Sequence, residues 1–144
     1  MRLVRFTIRL ALVAGWAWFI YWVSSDPTPP GTGPDGGGAL DFLPRGDLFA
    51  HAGTYAIFAW FLMLLALPVR FCKPINVALH LLMPIVIAGV YGIAMEMIQD
   101  GIPERSAEIL DVVADIVGAI IAIALMARVW PKIKRLGHAA AAQL

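Results

Sequence analysis

The residues best suited to chemistry in this chain fall at helical spacings. Asp47, His51 and Tyr55 stand at i, i+4 and i+8, so on a helix they line one face. Glu96 and Gln99 are separated by i, i+3, with Gly92 one turn from Glu96. Asp111 and Asp115 are again i, i+4, and Gly118 and Ala122 continue that stripe with small residues. His51 could serve as a general base, since an unperturbed imidazole titrates near pH 6.5. Glu96 or Asp115 could orient the ring, and Arg105 could hold a phosphate or carboxylate through two parallel hydrogen bonds. The same imidazole and carboxylates could instead hold a divalent cation, with zinc or manganese suiting mixed ligands. No HExxH-type motif accompanies them, so the metal stays unassigned. A binding site without chemistry, or a salt-bridge network that sets helix register, is a third reading.

Those spacings require helices, and the composition says where the helices live. Of 144 residues 60% are hydrophobic and 15% charged, against about 45–50% apolar and about 25% charged in soluble domains. So much apolar surface cannot be hidden in one small soluble core. The expectation is an all-α, integral membrane protein of one domain over residues 1–144. A soluble enzyme, a nucleic-acid-binding module and a disordered chain are excluded. The one cysteine, Cys72, leaves no internal disulfide.

Crossing about 30 Å of hydrocarbon takes about 20 helical residues. Four segments qualify, over about 3–23, 48–69, 75–98 and 112–129. In the first, Arg5 and Arg9 can snorkel to one interface while Trp16, Trp18, Tyr21 and Trp22 suit the other. A cleavable signal peptide competes for this segment, but the length and aromatic bulk of the run favour an uncleaved anchor. Residues 24–46 are rich in Pro and Gly and read as a mobile outer tether. Pro68 should help end the second span, Pro84 should kink the third, and Ser106 should cap the fourth. An Ala-rich tail after Arg135 should fray.

With four crossings, Arg2, Arg5, Arg9, Arg70, Lys73, Arg128, Lys132, Lys134 and Arg135 share one side, nine of the eleven basic residues. Only Arg45 and Arg105 lie opposite. The positive-inside rule then puts both termini of this multi-pass membrane protein in the cytoplasm. All ten acidic residues fall on the outer side. Taking Asp47, Gln99 and Asp111 as the outer boundary, His51, Glu96 and Asp115 each lie about 4.5–6 Å below it, on three different helices. This coincidence of depth predicts a shallow acidic pocket at the outer leaflet, lined also by Tyr55, with Arg105 near its mouth. His80 reads as a packing residue on the basic side, His138 as part of the tail, and Tyr91 as either pocket-facing or packed. Gly89, Gly92, Ala114, Gly118 and Ala122 should let helix backbones approach closely.

These residues resemble the VanZ-like family of small membrane proteins. The resemblance runs through Asp47-Leu-Phe-Ala-His51-Ala-Gly-Thr-Tyr55, Tyr91-Gly92-Ile-Ala-Met-Glu96-Met-Ile-Gln99, Pro103-Glu-Arg105 and Asp111-Val-Val-Ala-Asp115-Ile-Val-Gly118, with Ser24-Ser25-Asp-Pro27 after the first span. It covers most of residues 15–125. The chain departs from it at Leu48, where members often carry lysine, and at Asp115, where many carry asparagine. The resemblance implies a cell-envelope protein whose partners are membrane lipids or lipid-linked molecules, in a family named for an accessory protein of resistance to the lipid-tailed glycopeptide teicoplanin. It implies no reaction. Binding or modifying such amphiphiles, hydrolysing or transferring a phospholipid or polyprenyl-linked head group, and scaffolding an envelope complex all remain open, as do the cofactor and the oligomeric state.

Overall fold

A computed structural model of the chain describes residues 2–27, 46–66, 74–103, 105 and 107–141, with side chains described over 3–27, 46–66, 78–103, 105 and 107–129. The tether at 28–45, the basic turn carrying Arg70, Cys72 and Lys73, and the expected cap Ser106 lie outside the described residues. So do the side chains of Lys132, Lys134, Arg135 and His138.

The described chain is helical in four stretches: α1 (Arg2–Ser25), α2 (Gly46–Ala66), α3 (Pro74–Gln99) and α4 (Ile109–Ala141). All four are long and apolar enough to cross a membrane, as their expected spans require. The observed α4 continues well past the expected end at Val129. Its added residues include Lys132, Lys134, Arg135 and Leu136, which lose little side-chain freedom in a helix, followed by alanines. The Ala-rich tail, expected to fray after Arg135, is helical as far as Ala141. The third helix runs unbroken through Pro84.

α2 and α3 each touch all three other helices, with the most extensive contact between α2 and α4, whereas among the described residues α1 rests on α2 and α3 and not on α4. Small residues make the tightest approaches. A Cβ placed on Gly118 would overlap the Ala52 carbonyl, so α4 lies directly on the α2 backbone. A Cβ on Gly92 would come within 2.5 Å of Asp115 Oδ2, and one on Gly89 within 3.3 Å of Ile116 Cγ1. The anticipated small-residue stripe is therefore the seam of α4 with both α2 and α3.

Side-chain distribution is inverted relative to a soluble protein. Glu96, Gln99, Asp111 and Asp115 are buried, while Trp18, Leu79, Val90 and Ile109 are exposed. An apolar exterior is stable only against an apolar solvent, which is what a bilayer supplies. In α1 only Ile20 and Ser24 are buried, and polar groups fix this peripheral helix in place. Trp16 Nε1 donates to the Thr54 carbonyl (3.0 Å), and the Tyr91 hydroxyl donates to the Ala17 carbonyl (2.7 Å). Tyr91 thus serves packing. At the other end of the bundle His80 Nε2 donates to the Ala66 carbonyl in the last residue of α2 (3.1 Å), again a packing role.

Candidate functional site

The cluster is built where α3 ends and α4 begins. After Gln99 the chain descends through tight turns, with Gly101 N–H bonded to the Ile98 carbonyl, Ile102 to Gln99 and Arg105 to Ile102. This returns the chain, nine residues after Gln99, to the level of Glu96, where Glu108 N–H donates to Glu96 Oε2 at 3.0 Å. The first amides of a helix lack partners within it. Glu96, from α3, thus supplies to α4 what a capping-box glutamate supplies from within its own helix, and a carboxylate at that end also suits the helix dipole.

Asp111 occupies the third position of α4, from which a capping-box acid would turn back to the amide that Glu96 already holds. Its side chain turns to α2 instead, and Oδ2 lies 3.8 Å from His51 Nε2. One turn deeper, Asp115 Oδ1 lies 3.0 Å from His51 Nδ1. A carboxylate can only accept, so the proton sits on Nδ1 and the ring presents Nε2 to Asp111. Asp115 is 1% exposed, and Gly92 makes the room it occupies between α3 and α4. One donor atom each of His51, Glu96 and Asp111 lies within 4.8 Å of the other two. The structure therefore brings together His51, Glu96, Asp111 and Asp115 from three helices.

The remaining expected residues divide. Gln99, with its amide turned to satisfy both neighbours, donates to Glu96 Oε1 (3.0 Å) and accepts from Arg105 Nη2 (3.1 Å). Arg105 Nη1 points to the carbonyls of Val23 (3.2 Å), Ser24 (3.4 Å) and Asp26 (3.5 Å) at the C-terminus of α1. Its guanidinium thus ties α1 to the cluster, completing the negative pole of a helix with a positive charge. Tyr55 is buried beneath His51, packed edge-on against Phe58, and its hydroxyl has no hydrogen-bond partner among the described residues. Asp47 is exposed in the first turn of α2. Sequence reasoning did not anticipate the capping of α4 by Glu96 or the use of Arg105 at the end of α1. Both are contacts between elements, and only the acceptor and donor types were visible in advance.

Three buried oxygens, Tyr55 Oη, Asp111 Oδ1 and Asp115 Oδ2, have no hydrogen-bond partner among the described residues. Buried polar groups are nearly always paired, so a concentration of orphans marks a place where something else is bound or where strain is held. Comparison of the chain with models of known families, with curated proteins and with solved structures finds no match. The VanZ-like resemblance accordingly rests on the quoted residues alone.

Proposed function

We propose that this multi-pass membrane protein binds or modifies amphiphilic molecules of the bacterial cell envelope, holding their polar part at the acidic end of the bundle. The reading rests on one observation: His51, Glu96, Asp111 and Asp115 converge from three helices at one end, among otherwise apolar spans. Ionisable groups in membrane helices are costly and usually mark a pathway or a ligand site. The basic residues at the opposite end support an orientation with both termini in the cytoplasm and the cluster facing out. The VanZ-like residues quoted above support the same setting, with lipid-tailed glycopeptides as one class of ligand. The test is untargeted mass spectrometry of amphiphiles retained by the detergent-purified protein. His51→Ala and Glu96→Gln should each change the retained set; identical profiles in all three proteins would overturn the reading.

A second reading, an enzyme acting on a phospholipid or polyprenyl-linked head group, is favoured by the His51–Asp115 pair at 3.0 Å. A carboxylate on Nδ1 orients the imidazole and stabilises it as Nε2 takes a proton from an attacking water. His51→Ala would then abolish turnover of that lipid in cells expressing the protein. An unchanged lipidome removes this reading.

A further inference from the structure

From the geometry we infer that His51 Nε2, Glu96 and Asp111 form a binding site for one divalent transition-metal ion, zinc or manganese, with Asp115 orienting the histidine from behind. The inference stands apart from the amphiphile reading, since an ion can occupy the cluster whatever the protein's ligand.

The donor set carries the first part of the argument. Ligands about 2.0–2.2 Å from a tetrahedral zinc stand roughly 3.3–3.6 Å from one another. His51 Nε2 and Asp111 Oδ2 are already 3.8 Å apart, too far for a hydrogen bond and close to the edge of such a tetrahedron. The donor atoms of all three residues lie within 4.8 Å of one another, which side-chain rotation of about an ångström would close. Mixed imidazole and carboxylate ligands suit zinc and manganese better than calcium or magnesium.

Hydrogen bonding behind the ligands carries the second part. A metal-bound histidine almost always donates its other ring N–H to a carboxylate or carbonyl, and ligating carboxylates are hydrogen-bonded in turn. His51 Nδ1 faces Asp115 at 3.0 Å. Glu96 accepts from Glu108 N–H and from the Gln99 amide, both at 3.0 Å, and keeps lone pairs free.

An independent sign of a guest comes from Asp111 itself. This residue is 8% exposed, its Oδ1 has no hydrogen-bond partner among the described residues, and its Oδ2 faces the imidazole at 3.8 Å, beyond hydrogen-bond reach. The amide it would satisfy as a capping acid is taken by Glu96, so the helix end does not account for where the side chain points. Three carboxylates, of Glu96, Asp111 and Asp115, surround one imidazole, and even a protonated ring balances only one of them. A divalent cation would offset this charge, the role that protonation of the carboxylates fills in its absence. Three protein ligands would leave a coordination position for water or a ligand's oxygen, the pattern of reactive rather than purely structural zinc sites. An ion on Nε2 also removes His51 as a general base, so the water on the ion would replace it.

The test is metal analysis of the full chain, purified in detergent, stripped with chelator and titrated separately with Zn²⁺ and Mn²⁺. One ion should bind per chain, and Co²⁺ should give visible absorption bands characteristic of histidine and carboxylate ligation. His51→Ala and Asp111→Asn should abolish saturable binding. Glu96→Gln, which keeps an acceptor for Glu108 N–H and so preserves the start of α4, should abolish it while circular dichroism and elution volume stay unchanged. Asp115→Asn should weaken affinity by roughly 10–100-fold. No saturable binding of either ion by the wild type would overturn the inference, and so would equal binding by wild type and Glu96→Gln. Lipid retention is read separately, on the same preparations, so the two proposals stand or fall independently.

Discussion

Asp115 is the residue on which the site turns, because it is at once the deepest charge and the partner of His51. Replacing it by alanine removes the acceptor for Nδ1–H and leaves a buried donor unsatisfied, a loss of about 1–3 kcal/mol. Asparagine retains an acceptor oxygen of nearly the same shape. Thermal unfolding in detergent should therefore rank Asp115→Ala well below Asp115→Asn, and equal midpoints would show that the hydrogen bond contributes nothing. Glu96 gives a second comparison at this scale. Glu96→Ala releases Glu108 N–H at the start of α4 and should cost about 0.5–2 kcal/mol, the range for loss of an N-cap. Hydrogen exchange should quicken at the first amides of α4 in that variant and not in Glu96→Gln.

Between elements, the α2–α4 seam depends on the lack of a side chain at Gly118. Gly118→Ala would force its Cβ into the Ala52 carbonyl, and because the obstacle is backbone rather than a flexible tip, the helices must separate. The expected loss is about 1–3 kcal/mol, as for overpacking elsewhere. Gly53→Ala serves as the control, since nothing lies within 4 Å of its Cβ; an alanine there should raise helix stability by up to about 1 kcal/mol. If the two substitutions shift unfolding equally, the close crossing is not what holds α4. The hold on α1 is of a different kind. Arg105 grips the carbonyls that end it, while further in Trp16 donates to the Thr54 carbonyl of α2 and Tyr91 donates to the Ala17 carbonyl of α1. Arg105→Gln should loosen the C-terminal end of α1, read as faster hydrogen exchange there with the exchange of α4 unaffected.

At the scale of the whole molecule the distribution of charge predicts an orientation. A topology reporter fused after Gln143 should be active on the cytoplasmic side, as the basic residues at that end of the spans require. Periplasmic activity would reverse the bundle and turn the acidic cluster toward the cell interior. The inverted pattern of burial makes a related demand: the chain should need detergent or lipid to stay monodisperse. Exposed Leu79, Val90 and Ile109 have no other means of avoiding water.

Much of this architecture was legible from order along the chain alone. Runs of about 20 apolar residues admit few alternatives to membrane helices, since hydrocarbon satisfies no backbone group. Helical periodicity then places each polar residue near one end of its span, which is why His51, Glu96, Asp111 and Asp115 could be grouped before any contact was known. The expected common level of His51, Glu96 and Asp115 gives way to His51, Glu96 and Asp111, because Glu96 meets α4 at its first amide and Asp115 lies about two turns deeper. Their azimuth was another matter. A residue's rise along its helix is set locally, but the direction it faces depends on how that helix rolls against its neighbours, and this is decided by contacts such as Gly118 on Ala52. Only packing could show that Asp115 takes the Nδ1 side of His51 and Asp111 the Nε2 side. Packing likewise turned Arg105 toward the end of α1 and gave Glu96 the start of α4. Side-chain type says what a group can bond to; the tertiary structure chooses among the partners within reach.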